Sequence, residues 1–234
     1  YSGEIPDTVR NRDSQITQLI NLLKNHPVIL TYVDECEADD IIGYYVKYKL
    51  EGKRAVIGSS DKDMHQLLTK DILQWSPGQK RFISTSDVRE KFGISVTNFC
   101  TARCFVGDSS DGLPGVPKVG FASLSKRFLK MREDDFVSVD EIIKEASGLV
   151  ENSKLKIYTS IIENQEIART NWKLMYLDMK NLSYSQIEKI DFALESETPN
   201  GNKIALIRAL FQSGIKNFDV DGFYVSLIAN LKRG

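Results

Sequence analysis

Three acidic groupings carry most of the chain's chemical potential: Glu35-Cys36-Glu37-Ala38-Asp39-Asp40, then Asp61-Lys62-Asp63, then Asp108 and Asp111 inside Gly107-Asp108-Ser109-Ser110-Asp111-Gly112. Carboxylates at that density repel one another, and a helix N-terminus offsets only part of the repulsion. Taken singly, the first two groupings also read as helix caps and the third as a solvated turn. Each, however, follows an apolar element and stands at a loop-helix junction, so short side chains from all three can converge on one polar pocket. Asp108 and Asp111 share a face if the turn between them is helical. An all-oxygen cluster of this size suits Mg²⁺ or Mn²⁺, not zinc. Two such ions roughly 4 Å apart would activate a water and stabilise the leaving oxygen of a phosphodiester.

Composition narrows the alternatives. His26 and His65 are too few for a histidine-rich centre, and the three cysteines, Cys36, Cys100 and Cys104, form no CxxC pair. That argues against a disulfide framework or a structural zinc site, and makes Cys100 and Cys104 buried small hydrophobes. With 41% hydrophobic residues in 234, the chain can fill a sizeable core. No apolar run reaches bilayer length, and Tyr1 to Asp7 lack the basic start and apolar stretch of a signal peptide, so a cytoplasmic protein with no membrane partner is expected. The absence of a starting Met predicts a fragment or processed product. The net charge of -1 hides a basic stretch, Lys118, Lys126, Arg127, Lys130 and Arg132, without an acid among them.

The elements that must position these residues alternate. An amphipathic helix is expected over Thr8–Asn25, a buried strand over Val28–Val33, and a helix from the first acidic grouping to Leu50, stopped by Gly52. A second strand at Arg54–Ser60 leads into a helix from Asp61 through Leu68. Repeated strand, acidic turn and helix predict an α/β fold with a mostly parallel sheet flanked by helices, its site at the carboxyl ends of the strands. Ile72–Trp75 and Arg81–Ser84 read as a hairpin around Ser76-Pro77-Gly78. A helix capped by Thr85 or Ser86 closes at Gly93, and another from about Val96 to Val106 delivers Asp108. From Leu113 the chain reads as helical, with a polar break around Glu195–Asn202. Residues 1–112 are therefore expected to form the α/β core and 113–234 a helical region.

A second constellation is Gly115-Val116-Pro117-Lys118-Val119-Gly120, followed by a helix bearing Lys126 and Arg127. A glycine-bounded loop at a helix start can offer backbone N–H groups to a phosphate and let a nucleic-acid backbone approach. No Gly-Lys-Ser/Thr ends it, so nucleotide hydrolysis is not expected. A plain helix connection with a solvated basic face is the other reading.

Glu37-Ala38-Asp39-Asp40, Ser59-Ser60-Asp61-Lys62-Asp63 and Gly107-Asp108-Ser109-Ser110-Asp111-Gly112-Leu113-Pro114-Gly115-Val116-Pro117-Lys118-Val119-Gly120, in that order, resemble the flap endonuclease and 5'-3' exonuclease family. Its bacteriophage members, ribonuclease H among them, share the Gln74-Trp75-Ser76-Pro77 excursion. The resemblance spans about residues 28–130. It implies a PIN-like nuclease core followed by a helix-hairpin duplex-binding motif, here residues 113–132. The activity implied is divalent-metal-dependent cutting at 5' ends, flaps or junctions of DNA, and of RNA annealed to DNA, in primer or flap removal during phage replication, by a monomer that can meet replication proteins. It implies Glu37 and Asp39, with Asp40, for a first metal and Asp61, Asp63, Asp108 and Asp111 for a second. It also implies Gly115, Val116, Lys118, Gly120, Lys126 and Arg127 as duplex contacts, a K⁺ ion on the loop carbonyls, and Arg103 as a phosphate contact. Family members begin with a strand bearing an early metal-binding Asp and carry a second Asp before a basic helical arch; neither segment is found here, so the first metal's remaining partners are expected ahead of Tyr1. A non-catalytic duplex-binding fragment and a PIN-type ribonuclease are the competing readings.

Overall fold

The computed structural model of the chain describes residues 8–153, 155–196 and 201–231. These divide into two compact units, one formed by Tyr1–Glu35 with Ser183–Gly234, the other by Cys36–Leu182. The acidic groupings fall almost wholly in the second.

In that unit, helix α2 (Ala38–Tyr48) starts from Glu37 and carries Asp39 and Asp40 in its first turn and Lys47 in its last, the polarity its dipole favours. Strand β1 (Ala55–Gly58) pairs in parallel with β2 (Ile72–Ser76), which pairs antiparallel with β3 (Arg81–Ile83). The resulting sheet, in the order β1-β2-β3, is mixed and small. The expected hairpin is present, with Trp75 opposite Phe82. The expected strand at Val28–Val33 is not: the segment lies outside this unit and joins no described ladder. Its β-branched residues suited a pleated surface, but strand preference is realised only where a neighbour offers hydrogen bonds and packing.

Between β1 and β2 the expected α-helix is instead a 3-10 turn, Asp63–Leu67. The reason is local. The Ser59 hydroxyl accepts from the Asp61 amide at 3.0 Å, and the Asp61 carboxylate accepts from the Asp63 amide at 2.8 Å. Such side-chain bonds compete with the regular helical ladder.

Helix α3 (Thr85–Phe92) is capped one residue earlier than expected, by Ser84 in a reciprocal box with Asp87, and ends at Gly93 with φ 66°. The stretch before Asp108 begins as a 3-10 turn, Val96–Asn98, and continues as α4 (Phe99–Val106). Helices α5 (Phe121–Arg127), α6 (Val139–Val150), α7 (Lys156–Glu163) and α8 (Gln165–Met175) follow.

Helix α4 is buried from Phe99 to Phe105 because it stands at the centre of this unit. Its Cys100, Ala102, Cys104 and Phe105 share one apolar core with Leu124, Phe128, Ile142, Ile161 and Ala168. Each large side chain buried there contributes about 1.5–3 kcal/mol. The buried Asn171 amide of α8 donates to the carbonyls of Cys104 and Pro114, both at 2.9 Å. The expected boundary between residues 112 and 113 is thus no seam: the helices up to Leu182 complete the core that holds Asp108 in place. A smaller core, Ile57, Met64, Leu67, Ile72 and Leu177, supports the other acidic turn.

The remaining unit is helical, with α1 (Val9–Leu23), α9 (Tyr184–Ser196), α10 (Lys203–Gln212) and α11 (Val220–Leu231). The Asn25 carbonyl ties it together, accepting from the Asn202 amide at 3.0 Å and the Tyr224 hydroxyl at 3.1 Å. Of the polar break expected at Glu195–Asn202, residues 197–200 lie outside the described residues, as do residues 1–7. Among the described residues no helix is long and apolar enough to cross a membrane.

Candidate metal centre

Three acids from two segments meet. Asp63 heads the turn after β1, while Asp108 and Asp111 follow α4, and one carboxylate oxygen from each lies within 4.8 Å of the others. Asp108 and Asp111 are brought together by a tight turn, not a helix: Asp108 bridges Leu113 antiparallel, with amide-to-carbonyl distances of 2.9 and 2.7 Å. The Asp108 carboxylate also accepts from the Ser110 amide at 2.9 Å and from its hydroxyl at 2.5 Å.

Arg103 supplies the cation. Its guanidinium donates to Asp63 Oδ1 from Nε at 3.2 Å, to Asp108 Oδ2, and to the Gly107 carbonyl at 3.3 Å. The residue is only 4% exposed. This corrects the expected surface phosphate contact. Five residues before Asp108 on a buried helix, Arg103 points under the acid turn.

Asp39 stands near this group on the first turn of α2. Burial, followed by the charges of Asp61, Asp63, Glu37 and Asp40, pushes its carboxyl up to about 6. Asp63 is also raised, by burial first, against the lowering effect of Arg103. Asp108 goes the other way, to about 2: its desolvation is outweighed by hydrogen bonds from Ser110 and Arg103. Asp61 is exposed. Glu37 is an exposed N-cap residue that makes no side-chain capping bond. Asp40 accepts from Asn181 at 3.3 Å, a structural contact beside the acidic group. The structure therefore brings Asp63, Asp108 and Asp111 within ligand distance of one another, sets Asp39 and Asp61 within their electrostatic reach, and leaves Glu37 and Asp40 outside the tight group.

A proton on Asp39 is held more tightly in the folded chain than in the unfolded one, so its contribution to stability is full below pH 3.8 and lost as the pH rises through about 6. In chelator, wild type should gain up to about 1 kcal/mol over Asp39→Asn on going from pH 7 to 5, after allowance for solvent screening. Parallel melting curves for the two proteins across that range would refute this.

In the sequence Gln74 figures only in the Gln74-Trp75-Ser76-Pro77 excursion, with no role at the site. It is fully buried in β2, with its amide donating to the carbonyls of Ser59 at 2.8 Å and Asp61 at 2.7 Å and its oxygen 2.7 Å from His65 Nδ1. It fixes the turn that aims Asp63. A glutamine following Ile72 and Leu73 and preceding Trp75 was the available signal.

The glycine loop differs in detail from expectation. Val116 is 2% exposed and its amide donates to the Phe105 carbonyl at 2.7 Å, so it anchors the loop to the core and is not free to meet a phosphate. The Gly120 amide donates to the Ser123 hydroxyl at 2.9 Å. Gly115 presses against the end of α4. Lys118, with φ 65°, and Lys126 and Arg127 on α5 are exposed, as a basic surface requires.

Residues 4–93 match the family model described as 5'-3' exonuclease, N-terminal resolvase-like domain. The chain is 31% identical over 162 residues to the 5'-3' exonuclease of Buchnera aphidicola subsp. Acyrthosiphon pisum, covering 68% of this chain and 56% of that one. It is 26% identical over 166 residues to the flap endonuclease Xni of Shewanella woodyi, covering 67% and 62%. The chain thus spans little more than half the length of these relatives. A bacteriophage T5 flap endonuclease, solved as a pseudo-enzyme-product complex with DNA and metal ions, superposes with a TM-score of 0.52 at 21% identity, over 76% of this chain and 60% of that one. At that identity the likeness is one of fold. Motif order, fold and these matches agree in one direction: the chain is similar to 5'-3' exonucleases and flap endonucleases.

Proposed function

We propose that the protein is a divalent-metal-dependent, structure-specific 5' nuclease. The observation that carries this is the meeting of Asp63, Asp108 and Asp111 within 4.8 Å, an oxygen-only donor set in which Asp63 stands 45 positions or more before the other two. Such a set fits Mg²⁺ or Mn²⁺. Asp63, Asp108 and Asp111 would hold one ion, and Asp39 and Asp61, with Glu37 and Asp40 nearby, would form one wall of a second site. Bound ions would supply Lewis-acid stabilisation of phosphoryl oxygens and a more acidic water. The protein's own share is positional: Ser110 orients Asp108, Gln74 fixes the turn of Asp61 and Asp63, and the core beneath α4 holds the two segments together.

Lys118, Lys126 and Arg127 are assigned to the phosphates of a duplex, and the Gly115–Gly120 loop to its close approach. The K⁺ ion fits this loop less well. The Val116 and Pro117 carbonyls each already accept one hydrogen bond, and the Gly120 carbonyl accepts two. The proposed substrate is DNA with a 5' end or flap at a duplex junction, with RNA annealed to DNA as a further substrate. The proposed setting is primer or flap removal beside replication proteins, in the cytoplasm of a phage-infected cell. Support comes from the nuclease names of the relatives and from the T5 complex with DNA.

The test uses 5'-flap, recessed-end and RNA-primed duplexes with Mg²⁺. Cleavage near the junction that is abolished by EDTA is the expected result. Duplex binding with a steep salt dependence but no turnover would replace it with the binding-module reading. Cleavage of single-stranded RNA alone would favour the PIN-type ribonuclease.

A further inference from the structure

The geometry points to Arg103 as a built-in counter-cation of the acid cluster. It keeps the metal-free site assembled and weakens its hold on a divalent ion until substrate arrives. The inference rests on the metal-binding reading above. The Arg103 side chain is 5% exposed, and the carboxylates it bridges, Asp63 and Asp108, are 15% and 13% exposed. Two of the three clustered acids are thus ion-paired to one guanidinium that cannot lose its proton. The third guanidinium nitrogen is anchored on the Gly107 carbonyl. Buried Thr101, Ala102 and Cys104 leave α4 no room to turn Arg103 outward.

The consequences are electrostatic. Without a positive charge, three carboxylates this close would repel and spread, so Arg103 preserves their spacing. The same charge opposes an incoming cation and engages lone pairs on two of its ligands. A substrate phosphate brings negative charge to the same place and offsets that opposition, so metal and nucleic acid should bind with positive coupling. Arg103 is accordingly a positioning residue, not one that contacts the reacting phosphate.

Mn²⁺ binding to the DNA-free protein, read from the electron paramagnetic resonance signal of the free ion, tests this. Arg103→Gln should bind Mn²⁺ roughly tenfold more tightly than wild type. Arg103→Lys, which keeps the charge, should stay close to wild type, and adding uncleaved flap DNA should strengthen Mn²⁺ binding more in wild type than in Arg103→Gln. Equal or weaker binding by Arg103→Gln, or the same change in Arg103→Lys, overturns the inference while leaving the metal site intact. Absence of Mn²⁺ binding in every variant overturns the metal reading itself. If Arg103→Gln unfolds without metal, recovery of its melting transition in Mn²⁺ but not in K⁺ supports the inference, because a bound cation then replaces the guanidinium. Failure to fold in both assigns Arg103 to packing alone and overturns it.

Discussion

Asp63→Asn and Asp108→Asn should each lower the proposed Mg²⁺-dependent flap cleavage on the order of a hundredfold or more, since each removes a charge from the proposed metal centre, where it would stabilise a phosphoryl transition state. The two acids are not only ligands. Each is a partner of the buried Arg103, but only Asp108 is held ionised by its partners, so Asp108→Asn should also cost about 2 kcal/mol of stability in chelator, the scale of a hydrogen bond to a charged group, while Asp63→Asn, which removes a charge that burial disfavours, should cost less. Asp111 separates the effects. It belongs to the same cluster but is exposed on the turn, so Asp111→Asn should lose cleavage with little change in melting temperature. Rate measurements under single-turnover conditions, paired with thermal melts, resolve both. Undiminished cleavage by Asp63→Asn and Asp108→Asn would remove these residues from the proposed machinery.

Gly115→Ala should be among the most destabilising single substitutions in the chain, by roughly 3 kcal/mol or more. A Cβ at Gly115 would lie 2.0 Å from the Val106 carbonyl oxygen and 2.6 Å from its carbon, so backbone, not a flexible side chain, would have to give. Gly107 faces it, with φ 78° and ψ -180°, a conformation essentially confined to glycine, and a Cβ there would meet the Gly115 nitrogen at 2.4 Å. The two glycines allow the chain leaving the acid turn to lie directly on the end of α4. Loss of that contact should lower the melting temperature by about 10 °C and move Asp111 away from Asp63, so cleavage should fall with stability. Gly120→Ala is the control: it has ordinary backbone angles and nothing within 4 Å of a new Cβ, so its melting temperature should hardly change. Equal stability of the two variants would show that the close approach of loop to helix is not a constraint.

The two loop glycines show where sequence reading stops. Both bound the same motif, and nothing in their spacing says that one is locked against backbone while the other stands in open space. Arg103 makes the same point. In the sequence it is a basic residue ahead of an acidic turn, as suitable for a phosphate as for a carboxylate. Only the burial of α4 on all sides decides between them, and that burial comes from residues far along the chain, such as Ala168 and Asn171 of α8, the latter 67 positions from the Cys104 carbonyl it bonds.

What the sequence determined by itself was local or motif-borne. The hairpin at Ser76-Pro77-Gly78, the helix closed by Gly93, the amphipathic α1 and the three acidic groupings at loop-helix junctions follow from turn chemistry, periodicity and charge within a few residues. What the tertiary structure decided was every question of partnership. It left Val28–Val33 without a ladder, turned the Asp61–Leu68 helix into a 3-10 turn under Gln74, and carried the core across residue 112. It drew Asp63 to Asp108 and Asp111 around a buried guanidinium. The physical reason is one of range. Propensity and capping act between neighbours in the chain, whereas hydrogen-bond satisfaction and desolvated charge pairing depend on which distant segments the core brings together.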